Sequence, residues 1–124
     1  METITEKLKK KILEKGDEEI SLEVNLDTPS LLVLNEAPYY SLKLGDSYIH
    51  LECFWRAVVN SKIVFTSEDD KQMFGLDKPF DLIEAFQKFF SSKRVSLIKI
   101  KHPIADLQII FEDGSYIEAF ARSC

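Results

Sequence analysis

Residues 107–120 read LQIIFEDGSYIEAF, and this stretch decides the predicted fold. Two runs of alternating apolar and polar residues lie on either side of Asp113-Gly114. Asp-Gly between such runs is among the strongest short-range hairpin signals, because a type I′ turn needs a positive φ at both central residues. The stretch therefore predicts two antiparallel strands joined by a type I′ turn.

A weaker echo of this hairpin lies earlier in the chain. Ser47-Tyr48-Ile49 repeats Ser115-Tyr116-Ile117, and Gly45-Asp46 stands before it as a second tight turn. The repeat predicts two related sheet units. The pattern leaves open whether all strands join one continuous sheet or form two.

Hydrophobic periodicity divides the first half of the chain. A capping-box pattern at Thr3-Ile4-Thr5-Glu6, followed by apolar residues every four positions, predicts a helix from Ile4 to about Lys15. From Ile20 the period changes to two, which is typical of a strand with one solvated face. Further strands are predicted at residues 31–34, 39–44, 48–59 and 62–66, and the short turns between them favour an antiparallel meander.

The second half begins with an acidic connector. Ser67 is expected to cap a single helical turn up to Met73, and Asp81-Leu82-Ile83-Glu84 is a second capping box that starts a helix with an apolar face. A strand over residues 95–100 and the hairpin follow. The sequence thus predicts one α+β domain over residues 1–124, with a mostly antiparallel sheet of about eight short strands packed by two helices.

Composition and charge narrow the range of partners. The 124 residues suffice for one domain, and 45% hydrophobic with 30% charged residues is typical of a globular protein. The net charge is −5, and its excess of carboxylates lies within residues 1–78. An acidic surface repels phosphate groups, so we expect no nucleic acid and no membrane as partner. A basic protein is favoured, and a homo-oligomer stays open.

The location is predicted from the absence of apolar segments and from the cysteines. No run approaches the roughly 20 apolar residues that span a bilayer, and METITEKLKKK lacks the apolar core of a secretory signal. Cys53 and Cys124 are interpreted as two lone thiols, which favours a reducing compartment. We therefore expect a cytoplasmic protein in which Cys53 is a buried small hydrophobe.

Patterns that carry chemistry are absent from the sequence. His50, Glu52 and Cys53 are the one local group of metal-ligand types, and on a strand at most two of them face the same side. The motifs G-x-S-x-G, G-x-x-x-x-G-K-[ST] and G-x-G-x-x-G do not occur. We expect no cofactor, no metal site and no catalytic residues, and hence a protein that is not an enzyme.

Two hypotheses for binding remain. In the first, the acidic part of the chain binds a basic partner, with Trp55-Arg56 as an additional contact because Trp and Arg are enriched at binding hot spots. In the second, a polar strand face around Tyr48, His50, Glu52 and Arg56 forms a ligand pocket or a small active site. The candidate binding residues are Tyr48, His50, Glu52, Trp55, Arg56, Glu68, Asp69 and Asp70.

Residues 86–120 resemble a class of small bacterial proteins of unknown function. Their pattern is a helix, a valine-containing strand and then D-L-x-I-x-F-x-D-G-S-x-I-E-x-F, matched here by residues 106–120. Some proteins of this class accompany toxin systems as immunity proteins. The resemblance covers about a third of the chain and rests on a structural hairpin, so it implies an immunity-like role without assigning functional residues.

Overall fold

The structure is a computed structural model that describes residues 3–15, 19–27, 29–33, 40–51, 53–75, 77–101 and 106–120. These residues form two α-helices and nine β-strands. In chain order the elements are α1 (Ile4–Lys15), β1 (Glu19–Leu26), β2 (Ser30–Val33), β3 (Tyr40–Leu44), β4 (Ser47–Leu51), β5 (Trp55–Val59), β6 (Lys62–Thr66), α2 (Leu82–Phe90), β7 (Val95–Lys101), β8 (Asp106–Phe111) and β9 (Tyr116–Ala119).

The strands form two antiparallel sheets. Six strands follow the order β1-β7-β8-β9-β5-β6, and three follow the order β2-β3-β4. The α+β fold with mostly antiparallel strands and two helices is confirmed. The two hairpins that share the Ser-Tyr-Ile sequence lie one in each sheet, as β3–β4 and β8–β9.

Three local predictions are wrong. The strand expected over residues 48–59 is interrupted, and its halves β4 and β5 belong to different sheets. The early strands do not form one meander, because β1 pairs with β7, with Ile20 opposite Ile100. The helical turn expected up to Met73 is absent, since Lys71 has a φ of 65° that a right-handed helix excludes.

The terminal hairpin has a different turn from the predicted type I′. Of its two central residues only Gly114 has a positive φ, 91°. The Gly114 N–H donates to the Phe111 carbonyl (3.0 Å), and the Phe111 N–H donates to the Ser115 carbonyl (2.9 Å). This is a type I turn followed by a left-handed glycine, the three-residue hairpin loop. The I′ pattern instead occurs at Asn60-Ser61, between β5 and β6, with φ of 54° and 64°.

Both predicted helix starts are confirmed at the level of hydrogen bonds. The Glu6 N–H donates to the Thr3 hydroxyl (3.1 Å), and the Glu84 N–H donates to the Asp81 carboxylate (3.0 Å). Side-chain acceptors at these positions satisfy amides that have no partner within the helix. The two helix boundaries are therefore local consequences of the sequence.

One hydrophobic core joins side chains from both sheets and both helices. Phe65 of β6 lies at its centre and makes ring contacts with Trp55 at 6.0 Å and Phe90 at 6.2 Å. Tyr40 of the smaller sheet meets the ring of Trp55 at 5.6 Å, so the two sheets are joined through aromatic contacts. Because α2 packs on Phe65, the residues just before α2 are held against the β6 edge of the larger sheet.

The prediction of a free thiol at Cys53 is wrong. Cys53 lies in the short segment that leads from β4 into β5, and it is disulfide-bonded. Cys124, the other cysteine of the sequence, lies outside the described residues. Among the described residues, no helix is both long and apolar enough to cross a membrane.

Candidate interaction surface

The connector between β6 and α2, of which residues 67–75 and 77–81 are described, is closed by backbone hydrogen bonds. The Lys71 N–H donates to the Phe80 carbonyl (2.7 Å), and the Phe80 N–H donates to the Gln72 carbonyl (2.7 Å). These two bonds bring the ends of residues 72–80 together. The segment between them therefore projects as a compact loop, a kind of segment that often carries function.

The loop presents two large apolar side chains to solvent. Phe74 is 62% exposed and Met73 is 47% exposed. The ring of Phe74 packs edge-on against Phe80 at 6.0 Å, which fixes its position at the surface. Aromatic residues and Met are enriched at protein interfaces, so this pair is a candidate contact point.

Five described non-glycine residues have a positive φ, and two of them lie in this connector. Phe74 has a φ of 48° and Lys71 a φ of 65°, and both are non-glycine residues in the left-handed region. Such conformations cost of order 1–3 kcal/mol each and cluster at binding and active sites, where the surrounding structure holds them. Phe74 is therefore exposed and strained at once.

Two of the predicted acidic binding residues hold the connector in place. The Asp69 carboxylate accepts from the Thr66 N–H (2.8 Å) and from the Thr66 hydroxyl (3.1 Å). The Asp70 carboxylate accepts from the N–H of Leu82, the first residue of α2 (2.9 Å). Glu68 is exposed. Asp69 and Asp70 thus have a structural role in addition to the negative charge that they contribute.

A groove of about 520 Å³, which we call the acidic groove, lies between the loop and α2. Phe80 and Phe89 form its apolar part, and both rings contact Phe65, at 6.5 Å and 6.1 Å. Carboxylates line it from both elements, and so do two lysines; the charged lining residues are Asp77, Asp81, Glu84, Lys78 and Lys88.

The surface around the groove is strongly acidic. Residues 67–84 contain six carboxylates and two lysines. Negative charge at this density raises the local concentration of cationic groups and speeds their association. The charge asymmetry of the whole sequence therefore has a local counterpart next to Phe74.

Two carboxylates of this surface, Asp70 and Asp81, also affect the pKa of the buried Tyr40. Burial, together with the negative charges of Asp70 and Asp81, raises the pKa of Tyr40 to about 12. Among the described residues, the buried hydroxyl of Tyr40 has no hydrogen-bond partner. The raised pKa reflects the cost of placing a negative charge at this buried oxygen beside two carboxylates.

The predicted ligand pocket consists of Tyr48, His50, Glu52 and Arg56, and its described residues lie on two different sheets. Tyr48 and His50 are exposed on β4 in the three-stranded sheet, where the Lys43 ammonium stands 5.9 Å from the Tyr48 ring centre. Arg56 lies on β5 in the other sheet. Glu52 lies outside the described residues. The structure therefore brings two of these four residues onto one surface.

The predicted Trp55-Arg56 pair is divided between the two faces of β5. Trp55 is fully buried, and within the part of the chain that the structure describes its indole N–H has no hydrogen-bond partner. Arg56 faces the other side, where its Nε donates to the Glu118 carboxylate at 2.5 Å and its guanidinium lies 5.1 Å from the Phe120 ring centre. Trp55 is thus a core residue, and Arg56 is occupied by partners within the chain.

The acidic groove was missed by the sequence interpretation. The signal for the exposed loop beside it is the apolar pair Met73-Phe74 inside a segment rich in turn residues and carboxylates, between Ser67 and Pro79. Among the described residues, no group of three or more His, Cys, Asp or Glu side chains is placed to hold a metal ion. No protein-family model, no curated protein and no solved structure matches this chain.

Proposed function

We propose that this is a non-enzymatic binding protein of the immunity-protein kind, which captures a basic protein through the β6–α2 connector. The observation that carries the proposal is the exposed Phe74. It has a strained backbone conformation and lies on the loop that the backbone hydrogen bonds of Phe80 with Lys71 and Gln72 close. The carboxylates around it supply complementary charge for a basic surface.

The two parts of this surface have different physical roles. Carboxylates in high dielectric contribute mainly to the association rate and to the choice of partner. A fixed aromatic ring supplies contact area with little entropy to lose, which slows dissociation. Phe74 is therefore the expected energetic centre of the interface, and the carboxylates surround it.

The compartment in this proposal follows from the state of Cys53. The expectation of a cytoplasmic protein depends in part on free thiols, whereas Cys53 is disulfide-bonded. Disulfides persist mainly in oxidising compartments. Capture of the partner outside the reducing cytoplasm is the more consistent setting.

The experiment is affinity capture from lysate and culture fluid of the source cells with three baits. The first is the wild-type protein, and the second carries Glu68→Gln, Asp77→Asn and Glu84→Gln. The third carries Glu6→Gln, Glu14→Gln and Asp46→Asn, which remove the same charge from exposed positions elsewhere. We expect a basic protein on the first and third baits, lost from the second and lost again at high salt.

Two further results complete the test. Phe74→Ala should reduce retention of the same protein while leaving the melting temperature unchanged within about 2 °C, because the ring is mostly exposed. Co-expression with the captured protein should protect cells from it if the role is immunity. Equal retention on all three baits, or capture of an acidic protein, would contradict the proposal.

A further inference from the structure

The acidic groove has a composition that suits one type of side chain. Phe80 and Phe89 give it an apolar aromatic part that the core holds in place through Phe65. Asp77 and Glu84 are exposed carboxylates on its two sides, one from the loop and one from α2. A ligand with an apolar stem and a positively charged end satisfies both parts, which describes Arg and Lys.

The N-terminus of α2 carries a partial positive charge, but it does not prevent a cation from binding in the acidic groove. The first amides of the helix are already occupied, since the Leu82 N–H donates to Asp70 and the Glu84 N–H donates to Asp81. The side chains of Asp77 and Glu84 remain to face a ligand. Lys78 and Lys88 line the groove as well, so the lining has three carboxylates against two lysines, and this excess favours a cationic over an anionic ligand.

A contact between a cation and an aromatic ring already occurs in the groove. The Lys88 ammonium, which lines the groove, stands 5.8 Å from the ring centre of Phe89. A cation over this aromatic face is therefore compatible with its geometry. Because Lys88 is on the surface of α2 and has a flexible stem, an incoming cation competes with it for the same ring.

We propose, building on the proposed function, that the acidic groove receives an arginine side chain from an extended segment of the basic partner. The guanidinium stacks on Phe89 or Phe80 and pairs with the carboxylates of Asp77 and Glu84. Arginine is favoured over lysine because its planar group stacks on rings and bonds carboxylates through two N–H groups at once. The groove volume of about 520 Å³ is large enough for such a side chain.

The test is an NMR titration of the ¹⁵N-labelled full chain with two peptides, acetyl-(Gly-Arg)₃-amide and acetyl-(Gly-Lys)₃-amide. We expect the largest amide shifts within residues 77–89, and tighter binding of the arginine peptide. Glu84→Gln should weaken binding about two- to fivefold, as expected for an exposed ion pair. Lys88→Ala should strengthen binding by a similar factor of about two to five, because it removes the competing cation.

Lys7→Ala is the matched control, since it changes the net charge equally on α1, which packs against β1 at the opposite edge of the six-stranded sheet. Shifts centred outside residues 77–89, no binding of either peptide, or equal effects of Lys88→Ala and Lys7→Ala would overturn the assignment of the groove. The proposed function would survive each of these results if the charge-dependent capture of a basic protein is still observed. Loss of that capture would instead remove the proposed function itself.

Discussion

The Nε of Arg56 lies 2.5 Å from the Glu118 carboxylate on the neighbouring strand β9, and this pair belongs to a ladder across the outer face of the larger sheet. The Gln108 amide donates to the other oxygen of Glu118 at 3.2 Å. The Glu118 side chain is only 12% exposed, whereas Arg56 is 36% exposed. The carboxylate is therefore stabilised mainly by these two partners, because little of it is accessible to water.

Removing Arg56 should consequently destabilise the fold. Arg56→Ala leaves a mostly buried carboxylate without its cation, and we expect a loss of about 1–2 kcal/mol, between the values for exposed and fully buried pairs. Lys99→Ala is the control, because Lys99 is 3.9 Å from the exposed Glu19 and its loss should cost less than about 0.5 kcal/mol. Urea unfolding at neutral pH measures both; equal effects would contradict the role of Glu118 burial.

A second ladder lies beside the first on the same face. On five of the six strands its members are apolar or aromatic and in direct register, and on β1 the row ends at Glu23; the five are Leu97, Ile110, Tyr116, Val58 and Ile63. The polar row and the apolar row are neighbours on this face, because successive side chains on one face of a strand are two residues apart. Arg56 thus belongs to the polar row, whereas the sequence analysis placed it beside Trp55 in one hypothesis and in a pocket with Tyr48 and His50 in the other.

Removing the buried hydroxyl of Tyr40, unlike removing Arg56, is expected not to lower the stability of the protein. Because this oxygen has no hydrogen-bond partner, Tyr40→Phe removes an uncompensated polar atom and keeps the ring contact with Trp55. We expect the free energy of unfolding to stay equal or to rise by up to about 1 kcal/mol. Fluorescence of Trp55, the single tryptophan, follows the transition directly.

Tyr48→Phe serves as the comparison for this substitution, since Tyr48 is 53% exposed and its hydroxyl can be hydrated. Its effect should lie within about 0.5 kcal/mol of zero. A loss above about 1 kcal/mol for Tyr40→Phe would mean that the hydroxyl has a partner, such as an internal water.

The two hairpin turns predict opposite effects of glycine. Ser61 occupies the second central position of a type I′ turn with a φ of 64°, so Ser61→Gly should stabilise the protein by about 0.5–1 kcal/mol. Gly114 has a φ of 91° with open space around it, so Gly114→Ala should destabilise by about 1 kcal/mol through backbone strain alone. Thermal unfolding of both variants is the measurement, and the same sign for both would contradict the turn assignments.

The sequence predicted those features that depend on neighbouring residues. The bounds of α1 and the start of α2 follow from Thr3 and Asp81, whose side chains act within three residues. The turn type at Gly114 was missed because Asp-Gly suits two hairpin loops, and only the pairing of Phe111 with Ser115 separates them.

Features that depend on the tertiary fold could not be predicted in this way. The change of sheet after Leu51 is invisible in the periodicity, because strands of both sheets are apolar on their inner faces. The acidic groove requires Phe80 to lie beside residues 71 and 72. The backbone hydrogen bonds of Phe80 with Lys71 and Gln72 create this contact. Carboxylates at Asp69 and Asp70 looked like free surface charge, yet the fold uses both as backbone acceptors.

The last prediction concerns pH and the turn before β9. Partial burial would raise the pKa of Asp113, but hydrogen bonds from Lys93 and Ser115 and the charge of Lys93 outweigh it and lower the pKa to about 2. A carboxylate whose pKa is lowered by folding stabilises the native state above its unfolded pKa, near 4. That contribution is lost as the pH falls from about 4 to about 2.

Asp113→Asn should therefore remove part of the acid sensitivity. The amide can still accept from the Ser115 N–H, but it no longer pairs with the Lys93 ammonium. We expect a lower melting temperature than wild type at pH 7 and a difference that vanishes near pH 2. Glu112→Gln, a change in the same turn, is the control. A difference between Asp113→Asn and wild type that is constant from pH 7 to pH 2 would show that the ion pair does not stabilise the fold.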